Sequence, residues 1–205
     1  MSKNLYIWLW VGLASAPLAL AGCGQTMAYD KTQYVLEPIR TAEPVMAFKE
    51  ATLEVRRFMI DSAFRGKSLV YRTGDLKYET DFYHEFLVSP AAMIREATRN
   101  WLAQSNLVAR VVDAGGYVDP TYALEANITT LYGDARDEGA PKAVLELRAF
   151  LLRLEGTGDP VILHNQVYSA SQEVPTADAD GLVAGFSACL QAILSDLEKD
   201  LAAKL

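Results

Sequence analysis

The chain is poor in the residues that most often hold metals: its 205 residues include two histidines and two cysteines. The zinc pattern of two histidines one helical turn apart around a glutamate is missing, because His84-Glu85 runs on into Phe86-Leu87-Val88. His164 falls in a different predicted strand, so no metal site is expected. Nucleophilic catalysis lacks its marks too. There is no Gly-x-Ser-x-Gly elbow, and Ser62, Ser68 and Ser89 fall at turns or caps, where structure alone accounts for them. No Gly-x-x-x-x-Gly-Lys loop is present to cradle a nucleotide, and Gly115-Gly116 by itself makes no phosphate site. Spacing does not bring the carboxylates Asp81, Glu85, Asp134 and Asp137 together. No catalytic residue and no cofactor are expected, and the chain is not read as an enzyme. Lys and Arg number 19 against 26 Asp and Glu, a formal net charge of −7 with no basic stripe, which speaks against nucleic acid as a partner. No internal repeat or low-complexity tract appears.

What is present begins at the N-terminus. Lys3 precedes an apolar run from Leu5 to Ala19, which ends at Leu20-Ala21-Gly22-Cys23. A charged tip, an apolar core and small residues before a cut are the parts of a secretory signal peptide. The run carries Gly12 and Pro17 and is shorter than the roughly 20 apolar residues that a spanning helix needs. Leu-Ala-Gly-Cys resembles the lipobox of bacterial lipoproteins. That resemblance implies cleavage between Gly22 and Cys23, diacylglycerol on the Cys23 thiol and an acyl chain, of the palmitate class, on its amine. Ala21 and Gly22 are small enough for a peptidase cleft, and a thiolate is the side chain suited to attack the lipid donor. Two or three acyl chains make a stable anchor where one binds reversibly. Gly24 stands where Asp marks inner-membrane retention in many Gram-negative bacteria, so the anchor is expected in the outer membrane, facing the periplasm. The expected organisation is a signal peptide over 1–22, an acylated cysteine and tether over 23–32, and one periplasmic domain over 33–205. With Cys23 committed to lipid, Cys189 is left alone inside a helical apolar pattern, as a small buried core residue.

Within that domain Gln33 to Leu36 reads as a first strand, stopped by Pro38. From Ala51 the pattern has a period of two: Leu53, Val55 and Arg57 on one side, Thr52, Glu54, Arg56 and Phe58 on the other. Ser68 to Arg72 and Lys77 to Leu87 follow as strands separated by short turns, which favour an antiparallel meander. Ser89-Pro90 starts a helix, with a hydroxyl at the N-cap and a proline where no amide donor is missed. Met93, Ile94, Ala97, Trp101 and Leu102 are its apolar stripe, and Asn106 caps it. Strands are expected over Leu107 to Val112, Tyr122 to Tyr132, Ala143 to Leu154 and Val161 to Ser171, with Gly133 to Pro141 as an exposed loop. Leu182, Phe186, Leu190, Ile193, Leu197 and Leu201 mark a last helix over Asp178 to Leu205. The expected fold is α+β: a mostly antiparallel sheet of about six to seven strands with two main helices packed on one face. Aromatics are dense between residues 70 and 101. Tyr71, Tyr83, His84 and Trp101 are the candidate interaction surface, since amphipathic rings are enriched at interfaces.

The run Phe58, Leu69-Val70-Tyr71-Arg72, Tyr78, Tyr83-His84-Glu85-Phe86 and Pro90, with Trp101-Leu102 inside the helix, resembles the ABC-type transport auxiliary lipoproteins, the PqiC-like group. The resemblance extends from Tyr34 to the last helix. Many relatives carry a Trp near the end of the third strand, where this sequence has Tyr83-His84-Glu85-Phe86. It implies an outer-membrane lipoprotein acting as periplasmic adaptor of an MCE-type system that moves phospholipid or other hydrophobic molecules between membranes. Its partners are then an MCE-domain protein and an ABC permease and ATPase, with a homo-oligomer matching that assembly's symmetry. The alternative on a comparable scaffold is a lipoprotein activator or scaffold for a cell-wall (peptidoglycan) enzyme.

Overall fold

The computed structural model describes residues 30–43, 49–137, 139–154, 156 and 158–205. The expected signal peptide, the lipidation site Cys23, the Gly22–Cys23 cleavage point and most of the tether lie outside the described residues. The compact unit is Lys31–Leu205. Its elements run β1 (Thr32–Tyr34), β2 (Lys49–Ile60), a 3-10 turn (Ser62–Phe64), β3 (Ser68–Arg72), β4 (Tyr78–Phe86), α1 (Pro90–Ser105), β5 (Val108–Asp113), β6 (Tyr122–Asp134), β7 (Lys142–Arg153), β8 (Val161–Glu173) and α2 (Ala179–Lys204).

The α+β class holds, but the sheet is mixed rather than mostly antiparallel, and it has eight strands rather than six or seven. The hairpins β3–β4, β6–β7 and β7–β8 are antiparallel, as their short turns require. The others are parallel: β2 with β5 and with β6, β3 with β6, and β1 with β4. Alternation along a strand reveals its buried face but says nothing about its neighbour. A parallel partner brought in by a crossover is therefore invisible locally. The longest strands are organised around β6. Its whole length pairs with β7 on one edge, while its other edge is shared, Tyr122–Ile128 carrying β2 and Gly133–Asp134 carrying β3. Beyond β2 lies β5, and beyond β3 lie β4 and then β1.

One face of this sheet is the core. Ala143, Leu145, Leu147, Ala149 and Leu151 of β7 alternate into it, beside Leu124, Ala126 and Ile128 of β6. Each such leucine contributes about 1.5–3 kcal/mol by leaving water. Both helices cover this face, α1 over β2 and β5 and α2 over β7 and β8, and they touch each other. The Ser89 hydroxyl accepts from the Ala92 N–H at 3.3 Å to start α1, and Asn106 ends it with φ 62°. For α2 the N-cap is Asp178, accepting from the Gly181 N–H at 2.8 Å. By length and composition α2 alone among the described helices is apolar enough to cross a membrane, yet its apolar stripe is packed on the sheet as a core helix. Its approach to β7 needs Gly185, where a Cβ would fall 2.6 Å from Val174 Cγ1 and 2.7 Å from Ala143 Cβ. The opposite face carries no helix and is mixed, with half-buried Val144, Phe150 and Leu152 of β7 among its polar side chains. Arg56 there joins Glu54 at 2.6 Å and Glu125 at 3.2 Å across β2 and β6.

Two local readings change. The first strand ends at Tyr34 rather than Leu36. Past it, backbone donors turn to side chains of α2, Glu37 N–H to Ser187 Oγ and Ile39 N–H to Gln191 Oε1. In β2 the register against β6 shifts between Val55 and Phe58. Beyond that shift Phe58 and Ile60 face the core and Arg57 is exposed, the reverse of what strict alternation from Leu53 predicts.

Candidate functional site

The densest convergence of aromatic and titratable groups forms at a corner of the sheet, where β4 lies between β3 and β1. The β3–β4 register pairs Ser68 with Glu85 but Val70 with Thr80, so β4 carries extra residues between those points. A bulge leaves amide donors without ladder partners, and Asp81 takes them up. Its Oδ1 accepts from the Tyr83 N–H at 2.8 Å and from the His84 N–H at 3.0 Å. Its Oδ2 lies 2.9 Å from His84 Nδ1 and 3.5 Å from the Tyr71 hydroxyl. Burial works to raise the Asp81 carboxyl, but the two amides and the His84 ring outweigh it and hold the group below the ordinary aspartate value.

The neighbours are tied in by the same logic. Tyr34, its ring 6.0 Å from that of His84, donates its hydroxyl to Asp180 Oδ1 at 2.8 Å and so pins β1 to the start of α2. Burial, reinforced by Asp180, pushes the Tyr34 phenol up to about 12. Burial and then Asp81 do the same to Tyr71, also about 12, so both remain hydroxyl donors at neutral pH. On the outer side of the bulge, Phe82 and Tyr83 turn to solvent at 60% and 46% exposure and pack edge to face at 5.2 Å. Lys31, where the compact unit begins, sits 5.6 Å from the Phe82 ring and 3.0 Å from Glu85 Oε2. Leu87 and Val88, each 47% exposed, extend the apolar surface beyond the strand. The chain thus enters the folded unit beside an exposed aromatic patch on a rigid bulge.

Of the four sequence-predicted surface residues, the structure brings three together through Asp81: Tyr71, Tyr83 and His84. Trp101 is a correction. It is 4% exposed, on the stripe of α1 that faces the core, and its indole N–H donates to Glu198 Oε2 at 2.6 Å. The same carboxylate takes a two-pronged grip from Arg40, Nε to Oε2 at 3.0 Å and Nη2 to Oε1 at 2.7 Å, with both side chains under a tenth exposed. Arg40 also donates to the carbonyls of Ala42 and Glu43, so a buried charge pair is fully engaged. Sequence reasoning missed Arg40 and Glu198. The available signal was Glu198 on the apolar side of α2, one position after Leu197.

The other titratable groups are braces. Glu85 serves Lys31, Gln33 and Lys67, Asp134 pairs with Arg136 at 2.6 Å, and Asp137 accepts from the Gly139 N–H. His164 Nε2 lies 2.8 Å from the Tyr168 hydroxyl, which donates to Asp200 at 2.7 Å and fastens β8 to α2. Cys189 is buried with its thiol donating to the Ala143 carbonyl, and burial pushes it up to about 11. Among the described residues no three His, Cys, Asp or Glu side chains converge as a metal site would require.

One sheet face without helices, one helix-covered face and a patch of exposed rings beside Lys31 are the features of this domain. The chain belongs to the family of ABC-type transport auxiliary lipoprotein components, which matches residues 34–198. Its fold is similar to the crystal structure of a DUF330-family protein from Xanthomonas campestris, with a TM-score of 0.72 at 15% identity over 84% of this chain and 96% of that one. A second crystal structure, of an uncharacterized protein, is similar with a TM-score of 0.63 at 15% identity over 84% of this chain and 99% of that one. No curated protein matches the sequence. Family membership makes the chain a membrane-anchored lipoprotein of the envelope, serving an ABC-type transport system as an auxiliary, which is a non-enzymatic role.

Proposed function

We propose that the protein is an adaptor tied to the outer membrane by lipid on Cys23, on the periplasmic side, for an MCE-type intermembrane lipid transport system. The mature chain begins at Cys23 after removal of 1–22, and the tether to residue 32 keeps a single domain, 33–205, close to the headgroups. The aromatic corner is its docking surface toward the MCE-domain protein, with the permease and ATPase reached through that partner, and the adaptor works as a homo-oligomer. The single observation that carries the reading is the family match over 34–198 in a chain whose Leu20-Ala21-Gly22-Cys23 resembles a lipobox. The bulged corner supports the choice of surface, because Phe82 and Tyr83 are large, exposed and held on a rigid strand.

A photocrosslinking residue placed at Phe82 or Tyr83 in intact cells tests it. Recovery of an MCE-domain protein or an ABC permease is expected, and a control position on the bare sheet face, Glu125, is expected to recover much less. Recovery of a peptidoglycan synthase in their place would overturn the reading. Intact mass of the membrane-extracted protein tests the anchor separately, with a diacylglycerol and an acyl chain expected on Cys23.

A further inference from the structure

An open cleft of about 540 Å³ lies between the end of β2, the start of α1 and Ala114, just after β5. The topology puts it there. β2 and β5 are parallel neighbours and α1 is the helix between them, so the helix starts at the carboxyl ends of both strands. The register shift after Val55 then turns Arg57 outward to line the cleft. Three guanidinium groups, those of Arg57, Arg65 and Arg95, stand around it, and no carboxylate lines it. Among the described residues Arg57 has no carboxylate partner, and Arg65 reaches the Ser62 hydroxyl at 3.4 Å. Arg95 pairs with Asp113 at 2.8 Å, and Arg99 beside it pairs with Glu96 at 2.5 Å, so the uncompensated positive charge at the cleft comes from Arg57 and Arg65.

Such an excess of positive charge is notable in a chain with a formal charge of −7. A concave site with one sign of charge focuses its field on the opposite sign, and the guanidinium fork matches phosphate oxygens. The start of α1 adds the favourable end of its dipole, although its Ala92 amide is already taken by Ser89. Apart from Ser89 the rest of the lining is apolar; Phe58 and Ile60 face the core, and Met59, 49% exposed, is the large apolar side chain the cleft offers. A small inorganic anion would leave that surface wet. A ligand with an anionic head and hydrocarbon next to it covers both.

We propose that this cleft takes the phosphate head of an anionic amphiphile. Arg57 and Arg65 hold the phosphate oxygens with Arg95 beside them, and Met59 lies along the first carbons of the chains. This goes beyond the adaptor reading and does not rest on it, since its test needs no partner protein. The full-length protein, in a non-ionic detergent, is titrated with dihexanoyl-phosphatidylglycerol, inorganic phosphate or uncharged dihexanoylglycerol. Saturable binding of the phosphatidylglycerol is expected, with phosphate at least about tenfold weaker and dihexanoylglycerol not retained. The double substitution Arg57→Glu and Arg65→Glu is expected to weaken phosphatidylglycerol binding by about tenfold or more, with an unchanged melting curve because both side chains are exposed. Should that pair fail to fold, Arg57→Gln alone serves, with a smaller loss expected, and Arg57→Lys should restore part of it. Phosphate binding as tightly as the lipid would overturn the amphiphile assignment. So would an oligo-glutamate peptide that displaces the lipid at equal concentration. Binding that the charge reversal leaves unchanged, or no binding at all, would overturn the site itself.

Discussion

The two edges of β6 are built differently. On one side β7 and β8 form a long antiparallel ladder, Tyr122–Asp134 on Lys142–Arg153 and that strand on β8, each pairing broken by one register shift (Ile128/Thr130 and Leu151/Leu152) and closed over by α2. On the other side the edge is divided between β2 and β3, with shifted registers in β2 and β4 and a three-residue parallel strand, β1, at the margin. The continuous side is where apolar packing dominates. On the divided side the β4 bulge presents Phe82 and Tyr83, and the β2 bulge presents Arg57. Both surfaces proposed to bind lie on the divided side, each beside a register shift.

The contrast can be tested by substitution. The largest effect is expected from Glu198→Ala, which leaves the buried Arg40 guanidinium and the Trp101 indole without their acceptor, at about 3–5 kcal/mol in denaturant unfolding. A loss below about 1 kcal/mol would mean that the join between the two helices is not the keystone it looks like. Next comes Gly185→Ala on the continuous side, about 1–3 kcal/mol, because the new methyl would fall 2.6 Å from Val174 Cγ1 and 2.7 Å from Ala143 Cβ, and the Ala143 methyl can yield only by moving β7 or α2. Asp81→Ala should cost about 1 kcal/mol, since the released amides are near water, and its effect should be local. Amide exchange at Tyr83 and His84 should rise while that of β7 stays fixed.

Acid gives a reversible version of the same experiment. The folded-state value of Asp81 is depressed, so its contribution is present above the ordinary aspartate value and is lost as pH falls below about 4. Exchange at the β4 bulge should therefore accelerate before that of β6–β8, and Asp81→Asn should blunt this pH dependence. Smallest in stability is Phe82→Ser, expected within about 0.5 kcal/mol, while its yield of partner crosslink should fall sharply. A large loss of stability there would recast the ring as packing rather than docking surface.

Much of this could be read along the chain, and the limit has a physical cause. Ser89-Pro90, Asn106 and Asp178 mark helix ends through capping chemistry that acts within a few residues, so they were legible. The alternation of β6, β7 and β8 was legible for the same reason. Parallel pairing was not, because β2 meets its neighbours only after a crossover. Nor were the bulges, since one inserted residue reverses which of Arg57 and Phe58 is inside without altering composition. At the candidate corner, Tyr71, Tyr83 and His84 were visible as residues. Asp81, which gathers them, reads in the sequence only as one scattered carboxylate among several. Trp101 was misplaced because an aromatic on a helix stripe reads the same whether its ring meets solvent or a carboxylate from 97 residues away.

The shared edge of β6 also constrains how the polypeptide is made. β2 ends at Ile60, yet the strands that flank it start only at Val108 and Tyr122, so a nascent chain carries a twelve-residue half-apolar ribbon with both edges bare until more than half of it has emerged. During that interval the ribbon is a ready template for clumping, and a holding chaperone would have its strongest claim on residues 49–60.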